Sequence, residues 1–417
     1  MTRSATASVG IFACFASAYL LSYALRAVNA VIAPELMREF GLSNAQLGSL
    51  SAAYFFAFAA LQLPLGIWLD RFGSRRTDAA LLSVAAVGAA VFAGATDVTM
   101  LWVGRALIGA GVCGALMSAL KGYRFWYAPE RQQQLAAWML VVGTMGALSA
   151  TVPVQSALPV LGWRGVFWIA AALLLASAVA IWTLVPRDEE RQHASAGDAR
   201  GSVWAGYIEV FSDRYFWRLG LVAVVIQGGF VSMQSLWAGP WFTQVLGMAP
   251  AEAARALFVF NFVLMLGYLG LGWVAPRLQA HGWSTLRVCA VATAPILAVQ
   301  LAIALLEGSW AWTLWLLLAV LTTTYTLVQT HVSVSFPPQL TGRAYTAFNL
   351  LTFAGIFVWQ WAFGVGVDWF KGLGQSPEAA FRHTMLAWIA LQCLPYLLLL
   401  GWRVLTRAQA APVAATR

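Results

Sequence analysis

Charge is scarce in this sequence. Only 10% of its 417 residues are Asp, Glu, Lys or Arg, well under the roughly 25% of an ordinary soluble domain. Acidic residues number 16, and just two of the 25 basic residues, Lys121 and Lys371, are lysine. Cysteine is also sparse. Cys14, Cys113, Cys289 and Cys393 lie far apart, each in an apolar run, which excludes a disulfide framework and a metal-ligand spacing. No Asp or Glu sits deep in an apolar run; Asp97, Glu307 and Asp368 fall near run ends, so the usual intramembrane proton relay is not visible. The short polar segments hold no cluster of His, Asp or Ser that would mark a membrane enzyme, and no cofactor or metal is implied. What remains is apolar: 61% of the chain is hydrophobic and its mean hydropathy is +0.73. A soluble domain of normal size has no place in such a composition.

A helix needs about 20 apolar residues to cross the hydrocarbon core. Dividing the chain on that rule places spans near 9–33, 45–69, 77–95, 100–121, 135–156, 163–185, 216–240, 253–275, 285–306, 310–335, 344–368 and 381–402. The first run is too long for a signal-peptide core and is read as a retained span. With a cytoplasmic N-terminus, eighteen of the 25 basic residues fall on the inner side, which supports both termini lying inside a bacterial-type cytoplasmic membrane. The net charge of +9 is thus an orienting charge in loops, not a nucleic-acid footprint. The longest polar segment, 186–213, has mixed charge, Gly and Ser and no apolar period until Val203. It reads as a cytoplasmic linker between an N-terminal bundle, 1–185, and a C-terminal bundle, 214–417.

An internal repeat supports that division. Pro34 precedes Gly41 by seven residues in Phe40-Gly41-Leu42; Pro240 precedes Gly247 by seven in Leu246-Gly247-Met248. Arg131 precedes Gly143 by twelve, as Arg343 precedes Gly355. Gly66-x-x-x-Asp70-Arg71 has an echo in Gly272-x-x-x-Pro276-Arg277.

The stretch Gly66–Arg76, GIWLDRFGSRR, lies between two long apolar runs. Its pattern, Gly-x-x-x-Asp-Arg-x-Gly-x-Arg-Arg, closely resembles the signature loop between helices two and three of the major facilitator superfamily. On that resemblance Gly66, Asp70, Arg71, Gly73, Arg75 and Arg76 form a gating loop whose Asp70 pairs across the bundle when the inner side is shut. Lys121, Arg124, Glu130 and Arg131, at the inner end of the fourth span, are the expected gate partners of Asp70. Arg105-x-x-x-Gly109-x-Gly111 resembles the family's fourth-helix signature, whose arginine is held to assist coupling. The resemblance covers nearly the whole chain and implies an all-α integral membrane protein. Its twelve transmembrane helices would form two pseudo-symmetric six-helix bundles that work by alternating access.

Polar residues inside apolar spans need a reason to be there. Tyr19, Ser22, Arg26 and Asn29 share one face of the first span. A guanidinium held in a wet cleft suits a carboxylate, sulfonate or phosphate. The alternative for Arg26 is snorkelling to the outer surface or pairing with Glu35. Tyr23-Ala-Leu-Arg26 followed by Pro34 and Phe40-Gly41-Leu42-Ser43 resembles the first helix of the family's organic-anion branch, in which the matching arginine binds the anionic group. Leu25 replaces an aspartate frequent in sugar-acid members. Ser232 falls where phosphate exchangers carry a second arginine. One cation favours a monoanion, or an uncharged polar solute, over a phosphate ester. Gln234 and Trp237 on the seventh span, Tyr325 and Gln329 on the tenth, and Asn349 and Gln360 on the eleventh complete, with Tyr23 and Asn29, the candidate substrate contacts; each amide serves equally as interhelical glue. His331, near the inner end of the tenth span, is the one other titratable candidate. The expected activity is secondary transport of a small organic anion by a monomer, with H+ or another ion as coupling partner and the lipid bilayer as surroundings. Efflux of a drug, siderophore or metabolite, and a transporter-like ligand sensor, are the alternatives.

Overall fold

Backbone amides have no partner in hydrocarbon, so a chain this apolar must bond them within helices. The computed structural model describes residues 5–128, 131–186, 203–337 and 340–400, and its regular structure there is helical throughout. The core of the expected linker, 187–202, and everything beyond 400 lie outside the described residues, as do Glu130 and the Asp70 side chain. Nine described helices are each long and apolar enough to cross a bilayer, ten when the bent pair Asn44–Ala60 and Gln62–Leu69 counts as one pass. Gln132–Ser149 and Pro377–Leu400 supply the other two apolar helices. The arrangement matches the twelve-helix expectation.

The helix ends follow from local chemistry. The first span runs Ala5–Ala27, breaks at Val28, and continues as Asn29–Phe40. Gly41, at φ 64°, ends it in the left-handed conformation that glycine adopts without penalty. Ser43 then starts the second span with a reciprocal cap: its hydroxyl accepts from the Gln46 amide, and the Gln46 side chain accepts from the Ser43 amide. The equivalent turn in the second half is built alike. Gly247 stands at φ 65°, and Glu252 reaches back to the Ala249 amide at 3.2 Å. The repeat read from Pro34 and Pro240 therefore extends to backbone conformation.

Inside Gly66–Arg76 the turn is made by Gly73, at φ 77° and ψ 168°, which separates the second span from the third within Gln62–Ala93. Thr77 donates back across it to the Trp68 carbonyl. Arg75 is buried, donates to the Trp182 carbonyl through Nε (2.8 Å) and Nη2, and stacks on the Trp182 ring at 4.9 Å. Lys121 donates to the Leu69 carbonyl at 2.5 Å. These cations meet the last carbonyls of the second and sixth spans, where the helix dipole favours positive charge.

The two halves meet most extensively along the second and eleventh spans, which run antiparallel and pack closely over Asn44–Ala60. At the first-loop face, Asp368 accepts from the Asn44 and Ala45 amides (3.2 and 2.7 Å) and from Asn44 Nδ2 (2.7 Å), capping the N-terminus of a helix in the other half. Gly48 and Gly364 come next. A Cβ at Gly48 would strike the Gln360 backbone, and one at Gly364 the Asn44 backbone. Phe353 follows, stacked on Phe58 with ring centroids 4.1 Å apart. Further along, Asn349 bonds Gln62, and Tyr207 of the helix Val203–Ser212 bonds Thr346 at 3.1 Å near Gly66.

On the first-loop face of the N-terminal half, Glu39 accepts from Trp163 Nε1 (2.7 Å) and Arg164 Nη1 (2.5 Å), joining the first and sixth spans. Burial alone would raise the Glu39 carboxyl, but those two donors outweigh it and hold it below the ordinary glutamate value. The stabilisation is therefore present above the unfolded pKa and is lost as pH falls through the lowered one. Glu39→Gln is expected to lower the thermal midpoint at pH 7 and to converge with the parent protein as the pH is taken below the carboxylate range, measured by differential scanning fluorimetry in detergent.

Candidate functional site

Arg26 lies in the last turn of Ala5–Ala27, and its guanidinium rests on aromatic rings from both halves. Its Cζ is 4.4 Å from the Tyr23 centroid, 5.2 Å from Phe353, 5.6 Å from Phe58 and 5.9 Å from Phe55. Its polar neighbours are the neutral hydroxyls of Tyr19, Tyr23 and Tyr54, the last of them a hydrogen-bond partner; Glu35, nine residues further on, is not among them. Among the described residues no carboxylate pairs with Arg26, and its Nε is buried without a hydrogen-bond partner. Yet the side chain is partly exposed, as is Tyr23. An aromatic bed stabilises a cation through the ring quadrupole but does not neutralise it. The partly exposed Arg26 therefore keeps its positive charge without a counter-ion among the described residues.

The bed is shaped from the fifth span. Tyr23 meets Tyr19 edge-on at 5.0 Å, and both rings lie over Gly143, where a Cβ would come within 2.7 Å of Tyr19 and 3.2 Å of Tyr23. Glycine at 143 makes room for the ring under Arg26. Two tyrosines that the sequence reading passed over join this group: Tyr268 of Pro250–Ala280 is an electrostatic neighbour of Tyr23 and Arg26, and Tyr345 of Thr341–Gly372 one of Tyr23. The available signals were spacings: Tyr268 is seven residues after Asn261, and Tyr345 four before Asn349.

The amide candidates separate into two groups. Gln234, Gln329 and Asn349 are partly exposed. Gln234 donates to Asn261 at 2.9 Å, Gln329 to Asn349 at 3.3 Å, and Asn349 across the seam to Gln62 at 3.0 Å. Asn29 and Gln360 are buried, bonded to Ser51 and Ser235. Trp237 is fully buried, donating to the Gln360 carbonyl at 3.1 Å among Phe363 and Phe381. Tyr325 is sealed against Thr293 at 2.7 Å. Trp237 lies in a π-helical turn, Met233–Trp237, and Tyr325 in a 3-10 turn, Thr323–Tyr325. Each changes the residues per turn and swings the side chain off the face that α-helical spacing assigns it.

Of the gating candidates, Arg105 is 1% exposed, donates to the Leu25 carbonyl at 2.8 Å and lies between the Phe92 and Phe167 rings. It thereby braces the first span just before its break at Val28. Arg71, Arg76 and Arg124 are exposed, and Gly66 is partly so. His331 shares a 2.6 Å hydrogen bond with Tyr215.

A family profile described as Major Facilitator Superfamily matches residues 15–360. The chain belongs to the major facilitator superfamily. Among superfamily relatives, a probable nitrate/nitrite antiporter of Thermus thermophilus is 28% identical over 279 residues, covering 63% of this chain and 61% of the relative. A hexuronate transporter of Escherichia coli strain K12 is 27% identical over 283 residues, covering 62% and 63%. The chain thus spans about three fifths of the length of these relatives. A solved bacterial homologue of the human lysosomal transporter Spinster superposes with a TM-score of 0.79, covering 99% of this chain and 100% of that one at 17% identity. That likeness is one of fold.

Tyr268 and Tyr345 are partly exposed, whereas Trp237 and Tyr325 are buried. In a background with the native cysteines replaced, Tyr268→Cys and Tyr345→Cys are expected to react with a small hydrophilic thiol reagent faster than Trp237→Cys and Tyr325→Cys. Labelling rates in membranes, followed by mass spectrometry, check this.

Proposed function

We propose that this superfamily member is a secondary-active transporter that moves a small organic monoanion by alternating access. Two halves, 1–185 and 214–417, rock about the Arg26 site in a bacterial cytoplasmic membrane, with both termini cytoplasmic and the Gly73 turn on the inner face. The protein acts as a monomer and draws on H+ or another coupling ion. One observation carries the reading: a guanidinium with no carboxylate partner, partly exposed, set between rings of both halves. A charge kept in such surroundings is costly unless a ligand meets it. A single arginine, ringed by tyrosine hydroxyls in place of a second cation, suits one negative charge better than a phosphate dianion. The substrates named for the two relatives above, nitrate or nitrite and hexuronate, are both anions.

Asp70 and the arginines of its turn are the proposed latch of the inner face, broken on opening. The helix Val203–Ser212 lies beside Gly66 of that turn, where Tyr207 meets Thr346.

Arg26→Ala is expected to abolish anion-dependent thermal stabilisation of the purified protein and uptake in proteoliposomes, with membrane insertion intact; Arg26→Lys retains weak binding because charge survives without the planar fork. Normal flux in Arg26→Ala would point to export of hydrophobic compounds instead. Binding that depends on Arg26 but produces no flux would point to a sensor.

A further inference from the structure

We propose that the substrate carries hydroxyl or carbonyl groups about one helical turn from its negative charge, and that Gln62 and Asn349 select it by exchanging their mutual hydrogen bond for bonds to those groups. This rests on the reading of Arg26 as the anion site. Three side-chain amides form one directional chain: Gln329 Nε2 donates to Asn349 Oδ1 (3.3 Å), Asn349 Nδ2 to Gln62 Oε1 (3.0 Å), and Gln62 Nε2 to the Phe58 carbonyl (3.3 Å). Gln62 belongs to the N-terminal half and the other two to the C-terminal half, so the middle bond crosses between the bundles. Gln62 is 1% exposed, whereas Asn349 and Gln329 are partly exposed.

The chain stands at a defined distance from the charge. Arg26 lies beside Phe58 and Phe353. Gln62 is four residues after Phe58, and Asn349 four before Phe353, on antiparallel spans. Both amides are therefore displaced in the same direction along the seam by about 6 Å, the reach of roughly four or five carbon–carbon bonds. An amide both donates and accepts, as does a hydroxyl; a methylene does neither, and an inorganic oxyanion bound at Arg26 does not extend so far. A buried amide bond is cheap to exchange for an equivalent bond to ligand and expensive to break without one. A hydroxylated acid can open the Gln62–Asn349 bridge with both amides still satisfied. A fatty acid of equal length leaves one of them bare. Occupancy and the contact between the halves are thereby linked through one hydrogen bond.

The test sets hydroxylated acids against deoxy acids of the same carbon number, with nitrate as the inorganic reference, using the purified protein at constant ionic strength. Thermal stabilisation is titrated with D-glycerate, D-gluconate and D-galacturonate, against propionate, hexanoate and nitrate. At least one hydroxylated acid is expected to bind about tenfold more tightly than its deoxy counterpart and than nitrate. Gln62→Met, which keeps side-chain length, is expected to erase that preference; Asn349→Ala reads the same bond from the other half should the first variant fold poorly. Equal affinity for hydroxylated and deoxy acids, or a preference that survives both substitutions, overturns the proposal. Loss of all anion binding in Arg26→Ala leaves the anion reading standing in either case. Retention of gluconate or galacturonate binding in Arg26→Ala removes that reading, and this inference with it.

Discussion

A positive charge inside a low-dielectric bundle has to be answered, and the answers given to Arg75, Arg105 and Arg26 organise the N-terminal half. Arg75 is met by the terminal carbonyl region of the sixth span, and Arg105 by a carbonyl of the first span between two phenylalanine rings. Both act as braces through backbone carbonyls, although Arg105 keeps Nε and Nη2 buried without a hydrogen-bond partner. Arg26 is met by ring faces and by the Tyr54 hydroxyl, which attract it without neutralising it. The same chemistry thus gives two arginines tied to backbone and a third, the proposed anion site, tied to none.

The seam between the second and eleventh spans is graded. It begins at the first-loop face with a carboxylate on backbone amides, passes through glycine contacts that bring the helices together, and reaches stacked phenylalanines beside Arg26. Beyond them the contacts become side-chain amides and then a tyrosine from the helix that enters the C-terminal half. Tight backbone packing gives way to exchangeable polar contacts as the seam leaves the first-loop face. Such a gradient suits an assembly in which one face is fastened more firmly than the other in a given conformation.

Much of this was legible from residue order. Apolar length located the helices because hydrocarbon leaves the backbone no alternative. Gly41 and Gly247, found as members of a repeat, occupy matching left-handed turns because the same chain reversal recurs. Arg26 stood out because arginine in a span is costly. The failures also have physical causes. Trp237 and Tyr325 were assigned to faces on α-helical spacing, but a π-helical and a 3-10 turn rotate them into packed surroundings. Gln62 gave no sign of its position, and Tyr268 and Tyr345 gave only a spacing from Asn261 and Asn349. Their neighbours are brought to them by packing between helices far apart in sequence, which no local period encodes.

The stack of Phe58 on Phe353 has a mechanical consequence. Two broad ring faces at 4.1 Å and 21° keep contact through small changes of tilt, whereas a hydrogen bond loses strength when bent. Located part-way along an antiparallel helix pair, the stack is placed to serve as a bearing in the proposed rocking: the helix ends would swing through an arc while the rings merely roll. A solute beside such a bearing would travel almost nowhere, and the walls around it would change places.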